Sequence, residues 1–213
     1  MNRPSRRALL LAAPVLVPVL ALAATLPVAA RAQGAGATAV VEALHAALLD
    51  TMRQARALGV RGREARLRPV LTAAFDLAAM ARIAVGPAWS RFTPAQQAAM
   101  TQNFADWSIA TYASRFDGFS GESFETLGEA AASNNEDRLV RTRINRTGGE
   151  GPVALTYLLR QTGQGWRIVD VFLTGTISEI ASRRSEFAAL LRDGGPDRLI
   201  AELQNRTASL LAR

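Results

Sequence analysis

The stretch GWRIVDVFLTGTISEIASRRSEFAALL, residues 165–191, changes its period halfway along. Trp166–Leu173 reads as a dense apolar strand with a carboxylate, Asp170, in its middle. After Thr174-Gly175-Thr176 the chain reads as a helix, residues 177–192, carrying the adjacent arginines Arg183 and Arg184. Strict alternation puts Trp166, Ile168, Asp170 and Phe172 on one face, with Arg167, Val169, Val171 and Leu173 on the other. Both faces are then largely apolar, whereas an antiparallel sheet with one face in water alternates apolar and polar residues. Either both faces are covered, or one of them lines a cavity. Asp170, set among Trp, Ile and Phe, has to be paired, hydrogen-bonded or protonated, because an unpaired buried charge costs several kcal/mol. An ion pair with a helix arginine, Arg184 or Arg82, is the structural reading, and a general base in an apolar pocket is the chemical one.

Upstream of this strand the period is two. Ser123–Leu127, Leu139–Arg146 and Val153–Arg160 are candidate strands, with the glycine clusters 148–151 and 163–165 between the last ones as hairpin turns. Val153, Leu155, Tyr157 and Leu159 share one face of their strand, so this neighbour offers a second apolar wall. Earlier still the period is helical. Val40, Val41, Leu44, Leu48 and Met52 form one stripe over 37–58, with Gly59 as its stop. Pro69 suits the first position of a second helix, 69–84, which Gly86-Pro87 ends. Thr93-Pro94-Ala95-Gln96 is a capping box with proline at the first helical position, opening a helix that carries Met100, Phe104, Trp107, Ile109, Tyr112 and Phe116. After Gly194-Gly195-Pro196 a final helix covers 197–211. Helices, then a meander of about four strands, then helices predict an α+β domain with helices packed on one sheet.

The beginning of the chain is of another kind. Arg3, Arg6 and Arg7 precede an apolar run, residues 8–30, and Ala30-Arg31-Ala32 fits a small-residue cleavage site. These are the marks of a secretory signal, residues 1–32, cut after Ala32 to leave a single exported domain, residues 33–213. The run is also long enough for a membrane anchor, but Pro14, Pro18 and Pro27 favour the signal. The formal charge is +7, and loss of Arg3, Arg6, Arg7 and Arg31 lowers it to +3. Mild basicity of this kind does not call for nucleic acid; lipid headgroups and acidic protein surfaces suit it better. Arg61, Arg63 and Arg66, with Arg183, are the candidates for docking on such a surface, since six arginines fall between Arg53 and Arg68 against the single acid Glu64.

The inventory disfavours catalysis. There is no Cys, every basic residue is Arg, and His45 is the only histidine. Thiolate chemistry, a Schiff-base lysine and a Cys- or His-rich metal site are excluded, and no cofactor is called for. His45 lies at the edge of the first apolar stripe and reads as a helix-flank residue with a local hydrogen bond. An apolar sheet wall closed by apolar helices suits an acyl-chain or sterol-like ligand. The wall candidates are Phe75, Met80, Ile83, Trp107, Tyr112, Leu155, Tyr157, Val171 and Leu173. For each of them, plain core packing is the alternative.

The opening stretch resembles the MlaC / toluene-tolerance family of periplasmic lipid-binding proteins, through Trp166, Arg167, Asp170, Val171, Gly175, Ser178, Arg184, Ser185 and Phe187. FDLAAMARIAVGPAW (75–89), TPAQQ, YASRFDGFSGE and GGPDRLIAEL match in order. The resemblance implies a fold like nuclear transport factor 2, with helices over a curved sheet enclosing an acyl-chain pocket. It also implies a lipid ligand carried between an inner-membrane lipid transporter and an outer-membrane acceptor. Arg183, Val169 and Thr174 depart from the family's usual tyrosine, aromatic and acidic residues. RIAVGPAW, TYASRFDG and TGTISEIASRRSEF look closer to the hopanoid-associated HpnM branch, which implies a hopanoid in place of a phospholipid. An acid/base enzyme using Asp170 and a non-binding envelope scaffold subunit are the rival readings.

Overall fold

The computed structural model describes residues 36–134, 136–149 and 151–212. The expected signal segment 1–32 lies outside them. Helices α1 (Ala37–Arg53), α2 (Ala55–Ala74), α3 (Leu77–Val85) and α4 (Pro94–Arg115) come first, with a 3-10 turn, Gly86–Arg91, before α4. Five strands follow: β1 (Ser123–Ala131), β2 (Arg138–Asn145), β3 (Val153–Thr162), β4 (Gly165–Leu173) and β5 (Ile177–Ser178). The chain ends in α5, Glu179–Leu211. The strands form one antiparallel sheet in the order β1-β2-β3-β4-β5. The α+β class expected from the sequence is the class observed, with a two-residue edge strand added.

Capping logic explains the sharpest boundary. Thr93 Oγ1 accepts from Gln96 N at 3.2 Å and Gln96 Oε1 accepts from Thr93 N at 3.0 Å, so α4 starts where its capping box predicts. The arginine-rich segment differs from expectation. It is not a polar connection but part of α2, bent at Gly59 (φ 61°, ψ 177°) and running through Pro69. Arginine is a good helix former, and tertiary packing holds the segment in place. Arg63 is buried there: Nε donates to Ala113 O at 2.8 Å and Nη1 to Ala55 O at 3.0 Å. Its guanidinium ties the start of α2 to the end of α4, so Arg63 is a core residue and not a docking residue. Arg63→Gln should cost about 2 kcal/mol, because one amide cannot reach both carbonyls. Urea unfolding checks this. Arg66 is exposed and pairs with Asp50, and Arg61 is exposed.

A bulge re-phases the decisive strand. Leu158 pairs with Asp170 and Leu159 pairs with Ile168, so Val169 is an extra residue. Leu155, Tyr157 and Leu159 therefore share a face with Leu173, Val171 and Ile168. This face meets the helices: Tyr157 reaches His45 of α1, and Thr126, in phase through β2, donates to Glu42. Asp170 falls out of phase with Ile168, which overturns the strict alternation expected from sequence. The break between α2 and α3 docks on the free edge of β4, where Asp76 N donates to Ile168 O at 2.9 Å and Phe75 bridges Ile168.

Arg184 and Asp170 do not pair. Arg184 donates from Nε and Nη2 to Ile83 O, at 3.0 and 2.8 Å, capping the C-terminal end of α3. Gly86 lies beside this side chain at φ 67°, the left-handed region that favours glycine; a Cβ there would meet Arg184 Nε only in ordinary contact, at 3.4 Å. Asp170 instead accepts from three donors. They are Val171 N at 2.8 Å, Ile180 N at 3.1 Å and Ser178 Oγ at 2.5 Å. Ser178 Oγ in turn accepts from Ala181 N at 2.9 Å. The carboxylate and serine together cap the N-terminus of α5, where a negative charge suits the helix dipole. Helix α5 then bends at Gly194-Gly195, φ 68° at Gly195, where the sequence predicts two separate helices.

Candidate functional site

The helix-facing wall of β4 does not meet the helices everywhere. A cavity of about 90 Å³ remains between β4, α2, α3, α4 and the start of α5. Val171 and Leu173 form its sheet wall, Leu71 comes from α2, and Phe75, Leu77 and Met80 come from the α2–α3 break and α3. Helix α4 supplies Phe104, Trp107, Ser108, Thr111, Tyr112 and Arg115, and α5 supplies Glu179, Ile180 and Arg183. Aromatic contacts brace the walls. Phe75 meets Tyr112 edge-on with ring centroids 5.7 Å apart, and Trp107 and Phe104 both touch Phe187. Burial, and secondarily Glu179, push the Tyr112 phenol well above its ordinary pKa, so it stays neutral as a wall residue.

Six of the nine wall candidates meet here: Phe75, Met80, Trp107, Tyr112, Val171 and Leu173. The other three do not line the cavity. Ile83 is half-buried and contributes its carbonyl to Arg184. Leu155 and Tyr157 are buried in the core outside it. Tyr157 Oη lies 3.0 Å from His45 Nε2, and His45 stacks on Phe124 with centroids 4.0 Å apart. His45 thus bonds across the fold and not locally, and burial lowers its pKa to about 4.

Arg183 is also relocated. Its guanidinium lies 4.2 Å from the Trp107 ring centroid and pairs with Glu179 at 3.2 Å and Glu186 at 3.5 Å. It closes the cavity wall instead of serving as a free docking charge. Residues missed from sequence include Phe104, Ser108, Thr111 and Arg115. Their spacing with Trp107 and Tyr112 was readable, because 104, 107/108, 111/112 and 115 form one helical stripe.

The wall offers apolar burial with a few polar groups at one end, which suits a ligand that is mostly hydrocarbon. No cluster of His, Cys, Asp or Glu among the described residues could hold a metal ion. Asp170 does not line this cavity; both its oxygens are engaged in the α5 cap.

Residues 42–205 match the family described as MlaC protein. The structure also resembles that of the phospholipid-binding protein from Ralstonia solanacearum in complex with a phospholipid. That likeness has a TM-score of 0.72 and 27% sequence identity, covering 83% of this chain and 99% of the other. Since the matched span takes in every residue of the cavity wall, from Leu71 to Arg183, the chain belongs to the MlaC protein family.

Proposed function

We propose that this protein is a periplasmic lipid carrier. It takes the hydrocarbon of a lipid into the cavity against β4, receives it from an inner-membrane lipid transporter and delivers it to an outer-membrane acceptor, or the reverse. The observation that carries this reading is the apolar cavity itself, set on the one sheet face that a bulge keeps in phase with Tyr157 and Leu155. Affinity then comes from covered apolar surface, at about 25 cal/mol per Å². Family membership and the phospholipid complex of the Ralstonia relative support a lipid with acyl chains. The HpnM-like motifs support a second cargo, a hopanoid.

A cavity of about 90 Å³ is well below the ~300–1,000 Å³ of ordinary ligand sites, so a lipid has to part the helices from the sheet. Leu173→Trp should block that space. Native mass spectrometry of protein extracted from its host's envelope should show lipid on the wild type and none on the variant. The cost in stability should stay within ~1–3 kcal/mol, as for other overpacked sites. The mass of the released lipid separates phospholipid from hopanoid. Equal occupancy of both proteins would place the lipid elsewhere.

A further inference from the structure

The end of the molecule where α1 runs into α2 and where α4 finishes is basic and carries an exposed ring. From Asp50 to Arg68 the chain has six arginines against two acids. Arg63 is spent in the core, Arg66 on Asp50, and Arg68 on Glu64 and Asp106. The others, Arg53, Arg56 and Arg61, are exposed and make no ion pair among the described residues. Arg63 holds this stretch against the last turn of α4, and so beside the loop 116–122 that leaves that helix. The loop presents Phe119, 40% exposed and the one exposed aromatic ring among the described residues. The Arg53 guanidinium lies 5.2 Å from its centroid. The loop is tied down beside the ring: Thr147 Oγ1 donates to Ser120 O at 2.9 Å, and Glu122 Oε2 accepts from Ser120 N at 2.6 Å. Phe119 is therefore held at the surface. Asp117, also exposed, is the remaining acid of the loop.

We propose that this face docks on an anionic bilayer surface, with Phe119 entering the boundary between headgroups and acyl chains and Arg53, Arg56 and Arg61 lying on the headgroups. The proposal goes beyond the carrier reading and does not depend on what the cavity holds. A ring and permanent cations on one small face are what an anionic membrane interface takes up. A stable protein interface is built round a packed apolar centre and covers about 1,000 Å² or more, and one ring with three long side chains offers no such centre. A second copy would set the same arginines against each other across a two-fold axis. A bilayer demands neither shape nor register. Each arginine near an anionic surface raises partitioning about fivefold, so the three together give about a hundredfold, weak enough to be reversible. The face also adjoins the cavity. Tyr112 of the cavity wall stacks on Phe116, at the start of the same loop, with ring centroids 5.7 Å apart. Docking brings that wall up to the membrane.

The test uses the full mature protein and two kinds of vesicle, phosphatidylcholine alone and phosphatidylcholine mixed with phosphatidylglycerol, compared by flotation. The wild type should bind the anionic vesicles about a hundredfold better, and the difference should shrink as added salt shortens the screening length. Arg53→Gln with Arg56→Gln and Arg61→Gln should remove that difference. All three side chains are exposed, so the variant should unfold in urea like the wild type. Phe119→Ser should weaken binding to both kinds of vesicle severalfold. The chain has no cysteine, so Ser120→Cys takes a single environment-sensitive dye, whose emission should shift to the blue on anionic vesicles. Leu173→Trp, with its cavity blocked, should still bind vesicles as the wild type does. Loss of flotation in Leu173→Trp would show that the vesicles report lipid uptake, which overturns the docking assignment and supports the carrier reading. Equal binding of both vesicles by the wild type, a triple variant that keeps the preference, or a dye that stays in water overturns the docking assignment and leaves the carrier reading standing. Poly-glutamate is the last probe. Its binding, with none to vesicles, would mark a face for an acidic protein and overturn the bilayer assignment.

Discussion

Asp170→Ala should lower the folding stability by about 4 kcal/mol, the largest single effect expected in this chain. The carboxylate accepts from Val171 N, Ile180 N and Ser178 Oγ. Each buried donor left without a partner costs ~1–3 kcal/mol, and loss of a helix cap adds about 1. For a domain of this size the melting temperature should drop by roughly 10 °C. Asp170→Asn should cost less, because an amide oxygen in the place of Oδ1 still accepts from both backbone N–H groups, of Val171 and Ile180. Ser178→Ala should cost about 1 kcal/mol and should be strongly non-additive with Asp170→Ala, since the two side chains form one cap. Thermal and urea unfolding of the wild type, the three single variants and the double variant checks the set. A wild-type melting temperature for Asp170→Ala, with some other activity lost, would instead support the acid/base reading of this residue.

Acid should destabilise the fold through His45. Burial lowers its pKa to about 4 in the folded protein, against 6.5 for the unfolded chain. Between those values the unfolded state binds a proton that the native state refuses. The native protein therefore has its full stability above pH 6.5 and loses it as pH falls towards 4. One pKa unit is worth about 1.4 kcal/mol, so the whole loss is about 3 kcal/mol. Between pH 6 and pH 5 the slope should be close to 1.4 kcal/mol per pH unit. Asp137 and Glu125 titrate lower, because Arg160 and Arg143 hold their carboxylates below the usual range. His45 is the only histidine, so the assignment is clean: His45→Gln should flatten that slope. An unchanged slope in the variant rules out His45 as its source. Tyr157→Phe should leave the histidine ring without its partner at 3.0 Å and destabilise the protein at all pH values.

The sequence by itself determined the element types and part of the cavity's wall. Period-two runs separated by glycine turns gave the meander, and the Thr93–Gln96 capping box placed the start of α4 because both of its bonds are local. The motifs containing Trp166, Asp170 and Phe187 pointed to the family that residues 42–205 match. Six of nine wall residues were legible because apolar side chains at helical or strand spacing have to meet across a core.

What only the tertiary structure decided are contacts between residues far apart in the chain. The extra residue at Val169 moves Asp170 out of phase with Ile168, and no period in a single strand reveals a bulge that depends on its partner. Arg63 looks like one more surface arginine until the end of α4 brings Ala113 O to it. Arg184 and Asp170 looked like an ion pair because charge opposition is all that sequence offers. In the fold two unpaired helix ends claim them separately, Ile83 O taking the arginine and Ile180 N taking the carboxylate. Helix ends carry unsatisfied backbone donors and acceptors, and which side chain reaches them is a matter of three-dimensional proximity.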